Sequence, residues 1–221
     1  MKFKGIIFDF NGVLLWDTEL HTETWQDVAR EQRGSELTEE ELTRLHGRSL
    51  TEFARYVVGP DASDDEVAVI GENKEARYRE IVRAGRRTYG LSPGARELLN
   101  ALVARNIPRA IATSSPKSNV EFFIRHFNLL RWFERDHIVF VDGEIRGKPA
   151  PDLYIKAAEA IRLRPEQCVV VEDTTSGIAS AKAAGIGKII GLAPKALQKT
   201  LHAAGADQTI ENLRELSIDN F

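Results

Sequence analysis

Short apolar runs alternate along the chain with longer stretches of helical period. Gly5-Ile6-Ile7-Phe8 runs into Asp9, and Arg109-Ala110-Ile111-Ala112 into Thr113. Ile138-Val139-Phe140-Val141 ends at Asp142, Cys168-Val169-Val170-Val171 at Glu172-Asp173, and Lys188-Ile189-Ile190 at Gly191. Apolar runs of this length without alternation suit strands buried on both faces, as in a parallel sheet covered by helices. The amphipathic stretches 94–104, 119–127, 151–161 and 177–184 predict those helices. Right-handed crossovers then bring the carboxyl ends of the strands to one edge. The predicted fold class is α/β, a doubly wound parallel sheet.

Residues 16–89 break this rhythm. They contain no buried-strand run and predict helices over 19–33, 38–46, 50–58 and 63–83, punctuated by Gly34, Gly47 and Gly59-Pro60. Ser63 followed by Glu66 has the spacing of a capping box. A helical block placed after the first strand reads as a separate cap domain over the strand ends. The catalytic core is then 1–15 with 90–221, with hinges near Leu15 and Tyr89.

Composition narrows the function classes. The 221 residues are 43% hydrophobic and 29% charged, with 30 basic against 33 acidic side chains and a net charge of −3. That balance advertises no polyanion, so neither nucleic acid nor an acidic membrane surface is expected as a partner. No apolar run approaches the about 18 residues of a membrane span, and the start Met1-Lys2-Phe3-Lys4 does not resemble a signal peptide. A soluble, cytoplasmic protein is expected. The single cysteine, Cys168, excludes an internal disulfide and reads as buried and inert. His46, His126, His137 and His202 show no spacing for a triad or a metal. Arg83, Arg86 and Arg87 read as a solvated basic face, and Gly185-Ile186-Gly187 lacks dinucleotide-binding spacing.

The polar residues that do carry chemistry fall beyond the carboxyl ends of the strands, where open α/β sheets bind ligands. They are Asp9-Phe10-Asn11-Gly12, Thr113-Ser114-Ser115, Gly147-Lys148-Pro149 and Glu172-Asp173. Each alone has a plain reading: an acidic residue or threonine capping a helix, a surface lysine. Four such positions at successive strand ends, with complementary chemistry, favour a site. Asp9, Glu172 and Asp173 on one edge repel one another unless a cation intervenes, and hard carboxylate oxygens without His or Cys select Mg²⁺. Lys148 and Thr113 beside that metal suit a phosphate, and Asp9 is the strongest candidate nucleophile. Ser115-Pro116 reads as the cap of the following helix.

These segments resemble, in order, the four motifs of the haloacid dehalogenase superfamily of phosphotransferases: Asp9-Phe10-Asn11-Gly12-Val13-Leu14, Ile111-Ala112-Thr113, Gly147-Lys148-Pro149, and Val171-Glu172-Asp173-Thr174-Thr175-Ser176-Gly177. The resemblance implies a Rossmann-like core in which Asp9 is the nucleophile. Asp9, the Asn11 carbonyl and Asp173 would hold Mg²⁺, with Glu172 at the metal or just behind it. Gly12, Thr113, Ser114 and Lys148 would bind the phosphoryl group of a small phosphorylated metabolite. The insertion point resembles the helical-cap subfamily, which includes sugar-phosphate phosphatases and β-phosphoglucomutase. His21 matches a cap histidine of the mutase-like members. Gly47-Arg48-Ser49-Leu50 resembles the mutase's phosphate-binding cap loop, but with Leu50 in the arginine's place and Arg48 two residues earlier, which favours a hydrolase. The chain departs from the family at Asn11, where its phosphatases carry an acid–base aspartate; an amide has no proton to exchange. Three readings stay open: a phosphatase impaired at Asn11, a β-phosphoglucomutase-like transferase, and a non-catalytic phosphate-binding protein. The oligomeric state is not legible.

Overall fold

A computed structural model describes residues 3–45, 47–85 and 90–218. His46, Arg86, Arg87 and the hinge expected at Tyr89 lie outside the described residues. The chain divides into two compact units, Met1–Trp16 with Gly90–Phe221, and Asp17–Tyr89.

The first unit is built on a six-stranded sheet: β1 (Gly5–Phe8), β2 (Arg109–Pro116), β3 (Ile138–Val141), β4 (Cys168–Glu172), β5 (Lys188–Leu192) and β6 (Gln208–Ile210). The strands are all parallel, in the order β3-β2-β1-β4-β5-β6. The central strands β1 and β4 are buried at every residue, which is why their sequences are unbroken apolar runs. β3 is just as apolar but only partly buried, because it lies at the sheet's edge. The chain leaves β1 toward β2 on one side and returns to β4 on the other. The ends of β1 and β4 therefore flank the point where the winding reverses, the usual ligand crevice of such sheets.

The elements of the second unit, among its described residues, are helices: α1 (Thr18–Arg33), α2 (Glu39–Leu45), α3 (Leu50–Val58) and α4 (Asp64–Arg83). Its own core stacks Trp25 on Phe53, ring centroids 4.1 Å apart, among Val28, Ala29, Leu45, Val57 and Val67. Ser63 and Glu66 form the expected capping box at the start of α4, and Ser49 and Glu52 form a second at α3.

The remaining helices belong to the sheet unit: α5 (Ala95–Ala104), α6 (Lys117–His126), α7 (Asp152–Ala160), α8 (Thr175–Ala183) and α9 (Lys195–Ala204). Leu153, Tyr154, Ala157, Ile178 and Ala181 from α7 and α8 pack on Ile7, Ala112 and Val170 of the sheet. Cys168 is fully buried in β4, and burial pushes its thiol up to about 12. Where the chain leaves and rejoins this unit, Leu15 bridges Leu91 and the Ser92 amide donates to Leu14 (2.8 Å). Trp16, a candidate cleft or packing residue, is 47% exposed. Among the described residues no helix is long and apolar enough to cross a membrane.

The Trp25–Phe53 stack lies in the helical unit's core. Trp25→Ala should cost about 3–5 kcal/mol of that unit's stability, read as faster amide exchange in α1 and α3 while β1 and β4 stay protected.

Candidate active site

Asp9 is the first residue beyond β1, and its amide donates to the Val171 carbonyl of β4 (3.0 Å). The segment after it folds back at once: the Leu15 amide donates to Phe10 (2.9 Å) and the Gly12 amide to Leu15 (2.7 Å). Gly12 takes a φ of +83°, and a Cβ there would lie 2.0 Å from Asp173 Oδ2. Only glycine meets both conditions, so the turn after β1 lies directly against the acid at the end of β4.

Lys148 enters from the loop between β3 and α7. Its side chain is 4% exposed, and its Nζ donates to both Asp9 and Glu172, the latter at 2.6 Å. The ammonium also lies 5.1 Å from the Tyr154 ring centroid. Glu172 is saturated. Its Oε1 accepts from Lys148 and from Tyr154 Oη (2.9 Å), and its Oε2 from the Asp173 and Thr174 amides (2.8 and 2.9 Å) and Thr174 Oγ1 (3.1 Å). Gly177 leaves room for this carboxylate, since a Cβ there would sit 1.7 Å from Glu172 Oε1. Thr174 completes the turn as the N-cap of α8. The cation between Asp9 and Glu172 is thus the protein's own lysine.

Burial acts first on the protonation of the site, and the unequal charges, three carboxylates against one ammonium, act on top of it. Burial, reinforced by Glu172, raises the Asp9 carboxyl to about 7 against the pull of Lys148. Burial with the fields of Glu172 and Asp9 raises Asp173 well above the usual carboxylate range. Burial opposes ionisation of Glu172 too, but Lys148 and its hydrogen bonds prevail and hold it low. Burial would also lower Lys148, yet Asp9 and Glu172 raise it.

Thr113 is buried in β2, at the last position before the register break, and its Oγ1 accepts from the Ser115 amide (3.1 Å). Ser114 Oγ, Ser176 Oγ and Asp173 Oδ1 are buried without a hydrogen-bond partner among the described residues. Ser115 corrects the sequence reading. The N-cap of α6 is Pro116, with no side-chain cap bond, and Ser115 Oγ instead donates to Asn11 Oδ1 (2.7 Å). A break in the β2–β3 register redirects it. The structure therefore brings Asp9, Asn11, Gly12, Asp173, Lys148, Glu172, Thr113 and Ser115 into one hydrogen-bonded or touching set, joined through Lys148, the Gly12 turn and the β2 end.

His21 and Arg48 belong to the helical unit. Arg48 is exposed and pairs with Glu52 (3.4 Å). His21 stacks on Tyr78 (centroids 4.4 Å apart), with Nε2 3.2 Å from Asp17 Oδ2 and Nδ1 2.5 Å from Lys74 Nζ. Tyr78 Oη donates to the same Asp17 oxygen (2.5 Å), and Lys74 pairs with Glu75 (3.0 Å). Sequence reasoning missed Lys74 and Tyr154. Lys74 had a signal: with Glu75 it occupies the buried helical phase of Val67, Gly71, Tyr78 and Val82. Tyr154 had none, since its place on α7 reads as ordinary core.

Residues 3–185 match the haloacid dehalogenase-like hydrolase family. The chain belongs to that family. The fold agrees: a family IA, variant 3 hydrolase from Entamoeba histolytica superposes with a TM-score of 0.89 at 37% identity, covering 98% of this chain and 96% of its own. Among curated relatives, the hexitol phosphatase A of Escherichia coli is 32% identical, over 88% of this chain and 85% of its own length. The phosphorylated carbohydrates phosphatase of Thermotoga maritima is 31% identical, over 86% of this chain and 85% of its own.

Two measurements probe the charge cluster. Tyr154→Phe removes one donor to an ionised, buried Glu172 and should cost about 1.5–3 kcal/mol in denaturant melts. A carboxyl raised from 3.8 to about 7 holds a proton in the folded state that the unfolded chain has already released. In chelator, Asp9 should therefore make stability fall as pH rises between those values. Asp9→Asn should flatten that slope in melts from pH 5 to pH 8.

Proposed function

We propose that this family member is a Mg²⁺-dependent phosphatase of a small phosphorylated metabolite, a sugar phosphate, working through an aspartyl-phosphate on Asp9. The observation that carries the reading is the Asp9 carboxylate held against the buried Lys148 ammonium at the winding-reversal edge, with Glu172 locked behind the lysine. The kinship with carbohydrate-phosphate and hexitol phosphatases supports the substrate class.

The residues fit a magnesium ion. Among the described residues no three Asp, Glu, His or Cys side chains make a metal-holding group by themselves. Two carboxylates with a backbone carbonyl nevertheless form an all-oxygen donor set, and Asp173 Oδ1 is buried without a protein partner. Asp9, the Asn11 carbonyl and Asp173 would hold the ion, which supplies positive charge to offset the substrate's phosphate. Glu172 has both oxygens committed to five protein donors, so its part is to hold Lys148.

An Asp9 carboxylate oxygen bonds to phosphorus as the bond from phosphorus to the sugar oxygen breaks. Lys148 donates to the transferring phosphoryl oxygens, and Thr113, Ser114 and the Gly12 backbone line the same place; most of the acceleration in such chemistry is positioning and charge stabilisation. Water then attacks the aspartyl-phosphate, releasing phosphate and regenerating Asp9. Asn11 cannot give a proton to the departing oxygen or take one from the water, so both protons are exchanged with solvent. Lacking that group slows turnover by about 10²–10⁴-fold.

Asn11 also favours the reading of a protein that binds phosphate without turnover, and one series separates the two. The phosphatase reading expects p-nitrophenyl phosphate hydrolysis that needs Mg²⁺ and disappears in Asp9→Asn. Asn11→Asp should then raise sugar-phosphate turnover by about 10²–10⁴-fold, with a smaller gain in the phosphorylation step for p-nitrophenyl phosphate. Absence of hydrolysis in both the unsubstituted chain and Asn11→Asp, with phosphate binding retained, would leave the binding reading.

A further inference from the structure

Strand β2 keeps register with β3 as far as Thr113 opposite Phe140, and the next paired position is Pro116 opposite Val141. Ser114 and Ser115 bulge out between them. Bulges re-aim side chains and gather beside active sites. This one is tied by the Ser115 amide donating to Thr113 Oγ1, and it delivers the Ser115 hydroxyl to Asn11 Oδ1 at 2.7 Å. The hydroxyl is not engaged as a helix cap, because α6 starts at Pro116 without a side-chain cap bond.

A serine hydroxyl has one proton to donate, and here Asn11 Oδ1 receives it. The two edges of a side-chain amide are chemically opposite: one accepts, the other donates. Fixing the oxygen edge on Ser115 fixes where the NH₂ edge points.

We propose that Ser115 is a positioning residue that sets the orientation of the Asn11 amide, so that Nδ2–H rather than Oδ1 meets the oxygen leaving phosphorus. This rests on the phosphatase reading above. In that orientation Asn11 stabilises the negative charge growing on the leaving oxygen by a hydrogen bond, with no proton transferred. In the flipped orientation a carbonyl oxygen would face that charge and repel it. The effect belongs to the transition state, so it should appear in kcat and not in KM.

The test is a double-mutant cycle of Ser115→Ala and Asn11→Ala, with Ser115→Thr as the conservative variant, assayed on aryl phosphates of graded leaving-group acidity. Ser115→Ala should lower kcat about tenfold for the poorest leaving group and hardly at all for p-nitrophenyl phosphate, with KM unchanged. Ser115→Thr should restore the rate. In the Asn11→Ala background, Ser115→Ala should have no further effect. Equal losses across all leaving groups, or losses that add in the double variant, would overturn the proposal and place Ser115 in the fold or on the phosphate. A second readout needs no turnover. The side-chain amide ¹⁵N–¹H signals of Asn11, assigned by their loss in Asn11→Ala, should shift in Ser115→Ala and return in Ser115→Thr. Unmoved signals would overturn the proposal. Shifted signals in a chain that hydrolyses no phosphate ester would sink the phosphatase reading and the leaving-oxygen role together, while the amide orientation would stand.

Discussion

One buried ammonium organises this molecule. Lys148 is removed from water between Asp9 and Glu172, and a lysine is tolerated there only because both carboxylates and an aromatic face receive it. The surrounding architecture keeps that pairing possible. The strand order makes β1 and β4 neighbours, so Asp9 and Glu172 arrive side by side. Gly12 and Gly177 lack the carbons that would collide with Asp173 and Glu172. Tyr154 and the Thr174 turn engage the oxygens of Glu172 behind the lysine. Asp9 and Asp173, whose carboxyls burial holds above the usual range, are the two groups from which an incoming cation would displace protons.

Much of this was legible in the chain. The buried strands announce themselves because burial on both faces demands unbroken apolar residues, and the polar residue ending each run marks the sheet edge. The capping box at Ser63 is a local motif and was readable as one. The missed features depend on neighbours. β6 lies at the sheet edge with only Ile210 buried, so Gln208-Thr209-Ile210 shows no apolar run. α9 buries only Leu201, too little to stand out as a buried face. Ser115 looks like a helix cap until the pairing of β2 with β3 slips. Lys74 hides in the apolar phase of α4, where its acceptors, His21 and Glu75, become visible only once the helices are packed.

Asn11 shows how far a family pattern can be kept while one atom type changes. An amide nearly matches a carboxyl in shape, and Asn11 sits in a turn closed by Phe10, Gly12 and Leu15 through backbone bonds alone. What changes is proton inventory: the side chain now has a fixed donor edge and a fixed acceptor edge, and the structure assigns the acceptor edge to Ser115.

The order of the chain adds a consequence for biosynthesis. Gly5 of β1 pairs with Cys168 of β4, and the helical unit Asp17–Tyr89 is made between them. As the chain emerges from the ribosome, the helices and their core residues appear before any strand that pairs with β1. Contacts of such long sequence separation form slowly, since the loop must close before any pairing rewards it. A chain cut short before β4 therefore carries Asp9 but neither Glu172 nor Asp173. The cluster of Asp9, Lys148 and Glu172 comes together only once β4 has been made, and no fragment released before it can present the cluster.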